Sequence, residues 1–188
     1  MSHDREECCV PDDDGVDPLT QAALRARRGD QDAAAAFVRS SQAEVWRLCA
    51  HLGVTGAADD LTQETYARAF GSLHRFAGRS SARAWLLSIA RRVCADAVRA
   101  AVRERAAPKL IAEPVPDPAE GVALRALLEC LDSDRRDAFV VTQILGLSYA
   151  EAADVCGCPI GTIRSRVARA RSDLLDALGG SASRREAR

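Results

Sequence analysis

Apolar residues recur along this chain every three to four positions, and nowhere do they alternate with polar ones over a strand-length run. That pattern predicts an all-α protein. Asp17-Pro18 has the form of a helix N-cap and first turn, opening a helix to about residue 28 that breaks at Gly29-Asp30. A second helix is predicted over 31–52, ending at Gly53, and a third from Asp59 or Asp60 to about Leu73. The segment "HRFAGRSS" reads as a loop, after which Ser80 or Ser81 caps a long helix reaching about Arg105.

The periodicity then stops. "AAPKLIAEPVPDPAEG" holds Pro114, Pro116 and Pro118, a spacing that suits an extended, flexible linker over 106–118. Helices are predicted beyond it at about 119–131, 134–145, 148–156 and 160–178, with a fraying tail over 179–188. The opening 1–17 lack apolar content and are expected to be a disordered acidic tail. The expected architecture is therefore two small helical domains, 18–105 and 119–178, joined by a flexible proline-rich tether.

Charge sharpens this outline. The formal net charge is −1, yet the first 17 residues carry seven acids and one arginine. Arg79 to Arg105 carries seven arginines against two acids, and "PIGTIRSRVARAR", 159–171, holds four arginines and no acid. Local patches are thus a better guide to partners than the total. Lys109 is the only lysine, so with the alanine richness the preference for arginine points to GC-biased coding. No apolar run approaches the ~18 residues of a membrane span, and the polar N-terminus does not have the form of a signal peptide. The expected location is cytoplasmic, with thiols reduced. Cys49, Cys94 and Cys130 fall in apolar-periodic stretches and are expected as small core residues. Cys156 and Cys158 form CxC rather than CxxC, and no histidine lies near a cysteine pair, so no metal site is expected.

"LSYAEAADVCGCPIGTIRSRVARARSDLL" carries a helix-turn-helix signature. Ser148 and Glu151 have capping-box spacing, Ala152 and Ala153 permit a close helix crossing, and Gly157-Cys158-Pro159 makes the turn. At about 100° per residue, Ile160, Ile163, Val167, Ala170 and Leu174 form the core stripe of the last helix. Thr162, Ser165, Arg169 and Ser172 lie opposite, with Arg164, Arg166 and Arg171 on the flanks. Such a face suits the DNA major groove: guanidinium forks grip guanine edges and phosphates, and small hydroxyls permit close approach. An amphipathic helix with solvated arginines is the competing reading. The capped helix, tight turn and acid-free face together favour DNA.

In "DDLTQETYARAF" the residues Asp60, Gln63, Glu64 and Ala67 form one polar face, with Phe70 at its border beside Gln63. An acidic and amide face edged by an aromatic suits a basic protein partner; taken alone, it equally describes a solvated helix. In the long helix from about 81, Trp85, Leu86, Ile89, Ala90, Val93, Ala97 and Ala101 make the buried stripe. Arg91, Arg92, Arg99 and Arg103 gather on another face, with Asp96 among them. That face can track phosphates, and the adjoining loop Ala77 to Ala82, with Gly78, Arg79, Ser80 and Ser81, is suited to shape a pocket for an unstacked base.

Together these segments resemble the extracytoplasmic-function (ECF) class of bacterial RNA polymerase sigma factors, in the sigma-70 family, with the flavour of its actinobacterial members. The motifs occur in the family's order, and the resemblance covers nearly everything from Pro18 to Leu178. It implies that 18–105 is a σ2 domain and 119–178 a σ4 domain. Asp60, Gln63, Glu64 and Phe70 would dock on the β′ clamp coiled coil of core polymerase. Gly78, Arg79, Ser80 and Ser81 would capture a flipped base of the −10 element, while Arg91, Arg92, Arg99 and Arg103 hold promoter DNA. Thr162, Arg164, Ser165, Arg166, Arg169 and Arg171 would engage the −35 element, and σ4 would also rest on the β flap tip. Control by an anti-sigma factor is a family habit. The resemblance implies no catalytic residues and no cofactor, and the sequence shows no nucleophile, acid–base pair or phosphate loop. The acidic tail with Cys8-Cys9 falls outside the family pattern.

Two other classes remain as alternatives. A stand-alone helix-turn-helix transcriptional regulator would bind its operator unaided, usually as a dimer on a palindrome. An adaptor bundle that binds only protein would leave both arginine faces unused.

Overall fold

The computed structural model of the chain describes residues 17–106 and 119–186. The expectations for the acidic tail over 1–16 and for most of the linker lie outside the described residues. Eight α-helices and no strand are found among the described residues: α1 (Pro18–Ala26), α2 (Gln31–Leu52), α3 (Ala58–Ser72), α4 (Ala82–Ala106), α5 (Ala119–Glu129), α6 (Ser133–Phe139), α7 (Tyr149–Cys156) and α8 (Ile160–Glu186). A 3₁₀ turn follows α3, and a π turn over Val140–Ile144 extends α6.

The helix starts follow from their caps. The Asp17 carboxylate accepts from Thr20 N at 3.0 Å, with Pro18 in the first turn. Asp30 accepts from Ala33 N at 2.9 Å. Ser81 Oγ accepts from Ala84 N at 3.1 Å, so Ser81 fills the capping role that the sequence left open between two serines. Helix α3 begins with no side-chain cap, one residue before the expected aspartates. At its other boundary, α2 stops where the chain must turn sharply. A Cβ on Gly53 would stand 2.3 Å from Leu61 Cδ1 and 2.6 Å from the Cys49 carbonyl, so glycine alone fits that corner.

The first four helices bury Phe37, Val45 and Leu48 of α2 against Leu61 and Ala69 of α3 and Leu86, Leu87 and Val93 of α4. Burying each large side chain contributes about 1.5–3 kcal/mol. Helices α5–α8 enclose a smaller group that includes Leu128, Val140, Val155, Ile163 and Val167. The two groups meet where α4 faces α7. Arg83 of α4 donates to Glu44 on α2 and to the Leu145 carbonyl at 2.9 Å, and lies 3.5 Å from Glu151. Arg91, about two helical turns further on, pairs with Asp137 of α6 at 2.8 Å and donates to the Val155 carbonyl at 3.2 Å.

Several expectations are corrected. Helix α8 does not end near 178 but continues to Glu186, through Gly179 and Gly180. Once the packed part of a helix is formed, extending it costs far less than nucleating a new one. Cys130 is exposed rather than in the core, because it falls on the turn after α5. Ile160, the first residue of α8, is 42% exposed, whereas Ile163 one turn on is buried. Trp85 is only half-buried, at the edge of the α4 stripe.

Candidate nucleic-acid and polymerase interfaces

The helix-turn-helix is built as its sequence suggests. Both arms of the Ser148–Glu151 capping box are present, fixing the start of α7. Gly157 closes α7 at φ 64°, a left-handed conformation that admits glycine without strain. Pro159 then opens α8, its carbonyl accepting from Thr162 N at 2.8 Å. Ile163, Val167 and Ala170 are buried beneath the helix. Arg164, Ser165 and Arg169 are exposed, and Thr162 is half-exposed. Ser165 Oγ donates to the Thr162 carbonyl at 2.9 Å, which leaves its oxygen able to accept a hydrogen bond.

Two of the three flanking arginines, Arg166 and Arg171, make contacts within the domain. Arg166 pairs with Asp134 of α6 and lies 3.5 Å from Cys158 Sγ, so its charge is already balanced within the domain. Arg171 donates to Gln143 Oε1 at 2.7 Å. The structure therefore brings five of the six predicted −35 residues to an open face and ties Arg166 into the domain itself.

The α4 arginines also divide. Arg92 and Arg103 are exposed and carry no ion pair among the described residues. Arg99 pairs with Asp96, which also receives Arg68 of α3 at 2.8 Å; Arg68 in turn holds Glu64 at 2.7 Å. Hydrogen bonds from Arg68 and then Arg99 keep the Asp96 carboxyl below the ordinary carboxylate range. Arg91 departs from expectation: its side chain is 23% exposed and turned against Asp137. A helical wheel gives the face on which Arg91 lies but not which element covers that face.

Gly78, Arg79, Ser80 and Ser81 form the connection into α4. Its base is held by Arg27, which donates to the Phe76 carbonyl at 2.7 Å, and by Thr20 Oγ1, which accepts from Ala82 N at 2.7 Å. Beneath it Phe76 and Trp85 lie 4.9 Å apart, their planes at 39°. Sequence reasoning assigned Trp85 to the core and gave Phe76 no role. The signal was available: two aromatics bracket the loop in a chain with few aromatics.

Asp60, Gln63 and Glu64 are exposed along α3, and Phe70 is 40% exposed. Phe70 rests on Phe37 and Tyr66, each 6.4 Å away between ring centres. A groove beside this face, lined by Val38, Gln42, Thr62, Gln63 and Tyr66, continues along α2 to Trp46. Trp46 is 43% exposed, its indole N–H donating to Asp59 at 2.9 Å. The α2 side of this surface was missed, because its periodicity marks the buried face and leaves a lone outward tryptophan unremarked.

No cluster of three metal-ligating side chains occurs among the described residues. Hydrogen bonding to Cys49, then burial, holds the Cys94 thiol far above its ordinary range, and burial pushes Cys156 up to about 12. Such thiols are poor thiolate donors. Among the described residues no helix is long and apolar enough to cross a membrane.

Residues 37–104 match the family model for Sigma-70 region 2, and residues 121–174 match that for Sigma-70, region 4. The chain is 48% identical over 175 residues to ECF RNA polymerase sigma factor SigC of Mycobacterium tuberculosis (strain CDC 1551 / Oshkosh), covering 87% of this chain and 91% of that one. Among solved structures it is similar to CnrH in complex with the cytosolic domain of CnrY, with TM-score 0.73, 27% identity and coverage of 87% of this chain and 99% of that one. It is also similar to the sigma factor RpoE in complex with the anti-sigma factor NepR from Bartonella quintana, with TM-score 0.63, 29% identity and coverage of 76% and 94%. Two matched regions in one chain, together with relatives aligned along both domains, establish that the chain belongs to the ECF class of bacterial RNA polymerase sigma factors.

Proposed function

We propose that this sigma factor divides promoter recognition between its two helical domains, 18–105 and 119–178, and that both act while bound to core RNA polymerase in the cytoplasm. The first domain docks through the α3 edge at Asp60, Gln63, Glu64 and Phe70 on the β′ clamp coiled coil. Its loop at Gly78, Arg79, Ser80 and Ser81 receives an unstacked −10 base, while Arg92, Arg99 and Arg103 hold the strand. Unstacking costs a few kcal/mol, which contacts in the loop must offset. The second domain lays α8 in the major groove at −35, with Arg169 and Arg164 as principal readers, and rests on the β flap tip. Arg91 joins the DNA contacts only when α4 parts from the second domain. An anti-sigma factor is a further expected partner, in keeping with the similar sigma factor RpoE, whose structure is that of a complex with the anti-sigma factor NepR.

The observation that carries this reading is the placement of two opposite chemistries on one chain. An exposed acid and amide edge on α3 repels phosphate, whereas the exposed face of α8 presents Arg164 and Arg169, neither of them in an ion pair among the described residues, the nearby Asp173 being taken by Arg135. Gel shifts on promoter duplex with and without core polymerase provide the test. Tight, specific binding is expected only with polymerase. Tight binding by the free protein would favour a stand-alone regulator, and binding in neither arm an adaptor.

A further inference from the structure

We infer that Gln143 is a positioning residue for the promoter face, holding the Arg171 guanidinium toward a backbone phosphate without neutralising it. This rests on the assignment of α8 to the −35 element. Arg164 and Arg171 lie seven residues apart and so share one flank of α8, while Arg166 and Asp173 share the other. The segment from α6 through its π turn passes under α8. Its first turn meets the second flank, where Asp134 pairs with Arg166 and Arg135 with Asp173 at 2.7 Å. Its far end meets the first flank, where Gln143 accepts from Arg171 at 2.7 Å.

The two flanks differ in charge. On the second, each guanidinium faces a carboxylate, and its field is largely cancelled. On the first, the acceptor is a neutral amide: it fixes direction and leaves the full positive charge. A guanidinium has five N–H donors, and Gln143 engages one nitrogen, so most of the fork remains for another acceptor. Arg171 stands about 16 Å along α8 from Ile160. It also lies on the flank of α8, off the outward face that carries Arg169. It is thus both late in the helix and turned from the base edges reached by a recognition helix, and the acceptor met by Arg171 is a phosphate oxygen.

The amide itself cannot turn over freely. Thr142 is 7% exposed, and its hydroxyl donates to the Ala138 carbonyl at 2.6 Å. Having spent its proton there, Thr142 Oγ1 can only accept, and Gln143 Nε2 donates to it at 3.0 Å. That leaves Gln143 Oε1 directed at Arg171. The π turn makes this possible, because its wider i→i+5 bonding, seen from Leu145 N to the Val140 carbonyl at 3.0 Å, displaces Gln143 around the axis from its α-helical position. A buried backbone carbonyl is thereby connected, through Thr142 and Gln143, to the charge that meets DNA.

The test uses holoenzyme reconstituted with full-length protein and measures promoter affinity against salt concentration. Arg171→Ala should lower the log–log slope by about 0.9, the loss of one phosphate contact. Gln143→Glu should produce the same loss, because a carboxylate neutralises Arg171, and should add nothing in an Arg171→Ala background. Gln143→Leu should weaken binding severalfold with the slope kept, since charge remains but its direction is lost. Circular dichroism should show all variants folded, and preference among −35 sequences should not change. The inference is overturned by a wild-type slope in either Arg171→Ala or Gln143→Glu, or by wild-type affinity in Gln143→Leu. A further loss from Gln143→Glu in the Arg171→Ala background would overturn it too, as plain repulsion of DNA. If Arg164→Ala and Arg169→Ala also leave −35 binding unchanged, the assignment of α8 fails as well.

Discussion

Replacing Asp137 with arginine should separate the two domains. Asp137 and Arg91 face each other at 2.8 Å, with side chains 16% and 23% exposed. Burial lifts the Asp137 carboxyl above its ordinary range and offsets much of what Arg91 contributes, so the native pair adds little net attraction. Reversal is different. Two like charges about 4 Å apart at an effective dielectric of about 20 repel by about 4 kcal/mol. Solvent reaches both side chains, so roughly half of that, about 2 kcal/mol, should act on the closed arrangement. A change of that size moves the closed-to-open ratio by about 30-fold. Small-angle scattering reads the result directly: a compact chain of this length has a radius of gyration near 16 Å, and the variant should exceed the wild type. The double exchange, Arg91→Asp with Asp137→Arg, should restore the compact profile. A folded single variant whose scattering superimposes on the wild type would show that the Arg91–Asp137 contact does not govern how the two domains are held.

Four further outcomes follow from other contacts. Arg169→Ala should weaken −35 recognition by about 1–3 kcal/mol if it grips a base edge; competition with scrambled −35 duplexes measures this, and an equal loss on every sequence would make Arg169 a phosphate contact. Arg79→Ala should leave closed-complex binding intact and impair opening, read by permanganate footprinting on duplex against pre-melted templates, whereas Ser81→Ala should also cost about 1 kcal/mol of stability by removing the α4 cap. If the Arg79 variant opens the duplex normally, the base pocket does not depend on Arg79. Gly53→Ala should destabilise by about 1–3 kcal/mol through the clash with Leu61 and the Cys49 carbonyl; an unchanged thermal midpoint would show that the α2–α3 corner yields.

How much was legible depended on how local each determinant is. Helix α2 was placed at 31–52 because Asp30 and Gly53 act within one turn of their own ends. The capping box before α7 was legible for the same reason. The side chains below Ile163 and Val167 could be placed in a core because a 3.6-residue period names the inward face. What covers an outward face is a different matter, since it depends on residues distant in sequence. Arg91 meets Asp137 and Arg166 meets Asp134, 46 and 32 positions away. Trp85 was assigned inward on periodicity, yet Phe76 on the preceding turn draws it to the base of the loop. The end of α8 was missed because two glycines ordinarily lower helix stability, by about 1 kcal/mol each, but do not forbid propagation from a docked helix.

The α3 edge proposed for polymerase docking and the α4 face proposed for promoter contact, separate along the sequence, share one chain of charges in the fold. Glu64 on the α3 edge holds Arg68, Arg68 reaches Asp96 on α4, and Asp96 holds Arg99. Every member is between 44% and 64% exposed, so each pair contributes about 0–1 kcal/mol and does not hold α3 to α4. The buried residues of the two helices, Leu61 and Ala69 with Ala90 and Val93, do that. The chain of charges decides instead which cations are free. A phosphate approaching Arg99 must displace Asp96 from a formed ion pair, whereas Arg92 and Arg103 are in no ion pair among the described residues. Arg92 and Arg103 should therefore make the first contacts, and Arg99 should follow as Asp96 turns to Arg68. Reversing Glu64 would strip Arg68 of one carboxylate and draw it further onto Asp96, loosening Arg99 as well as altering the docking edge. Asp60 has no ion pair among the described residues, so a change there tests polymerase docking without disturbing the DNA face.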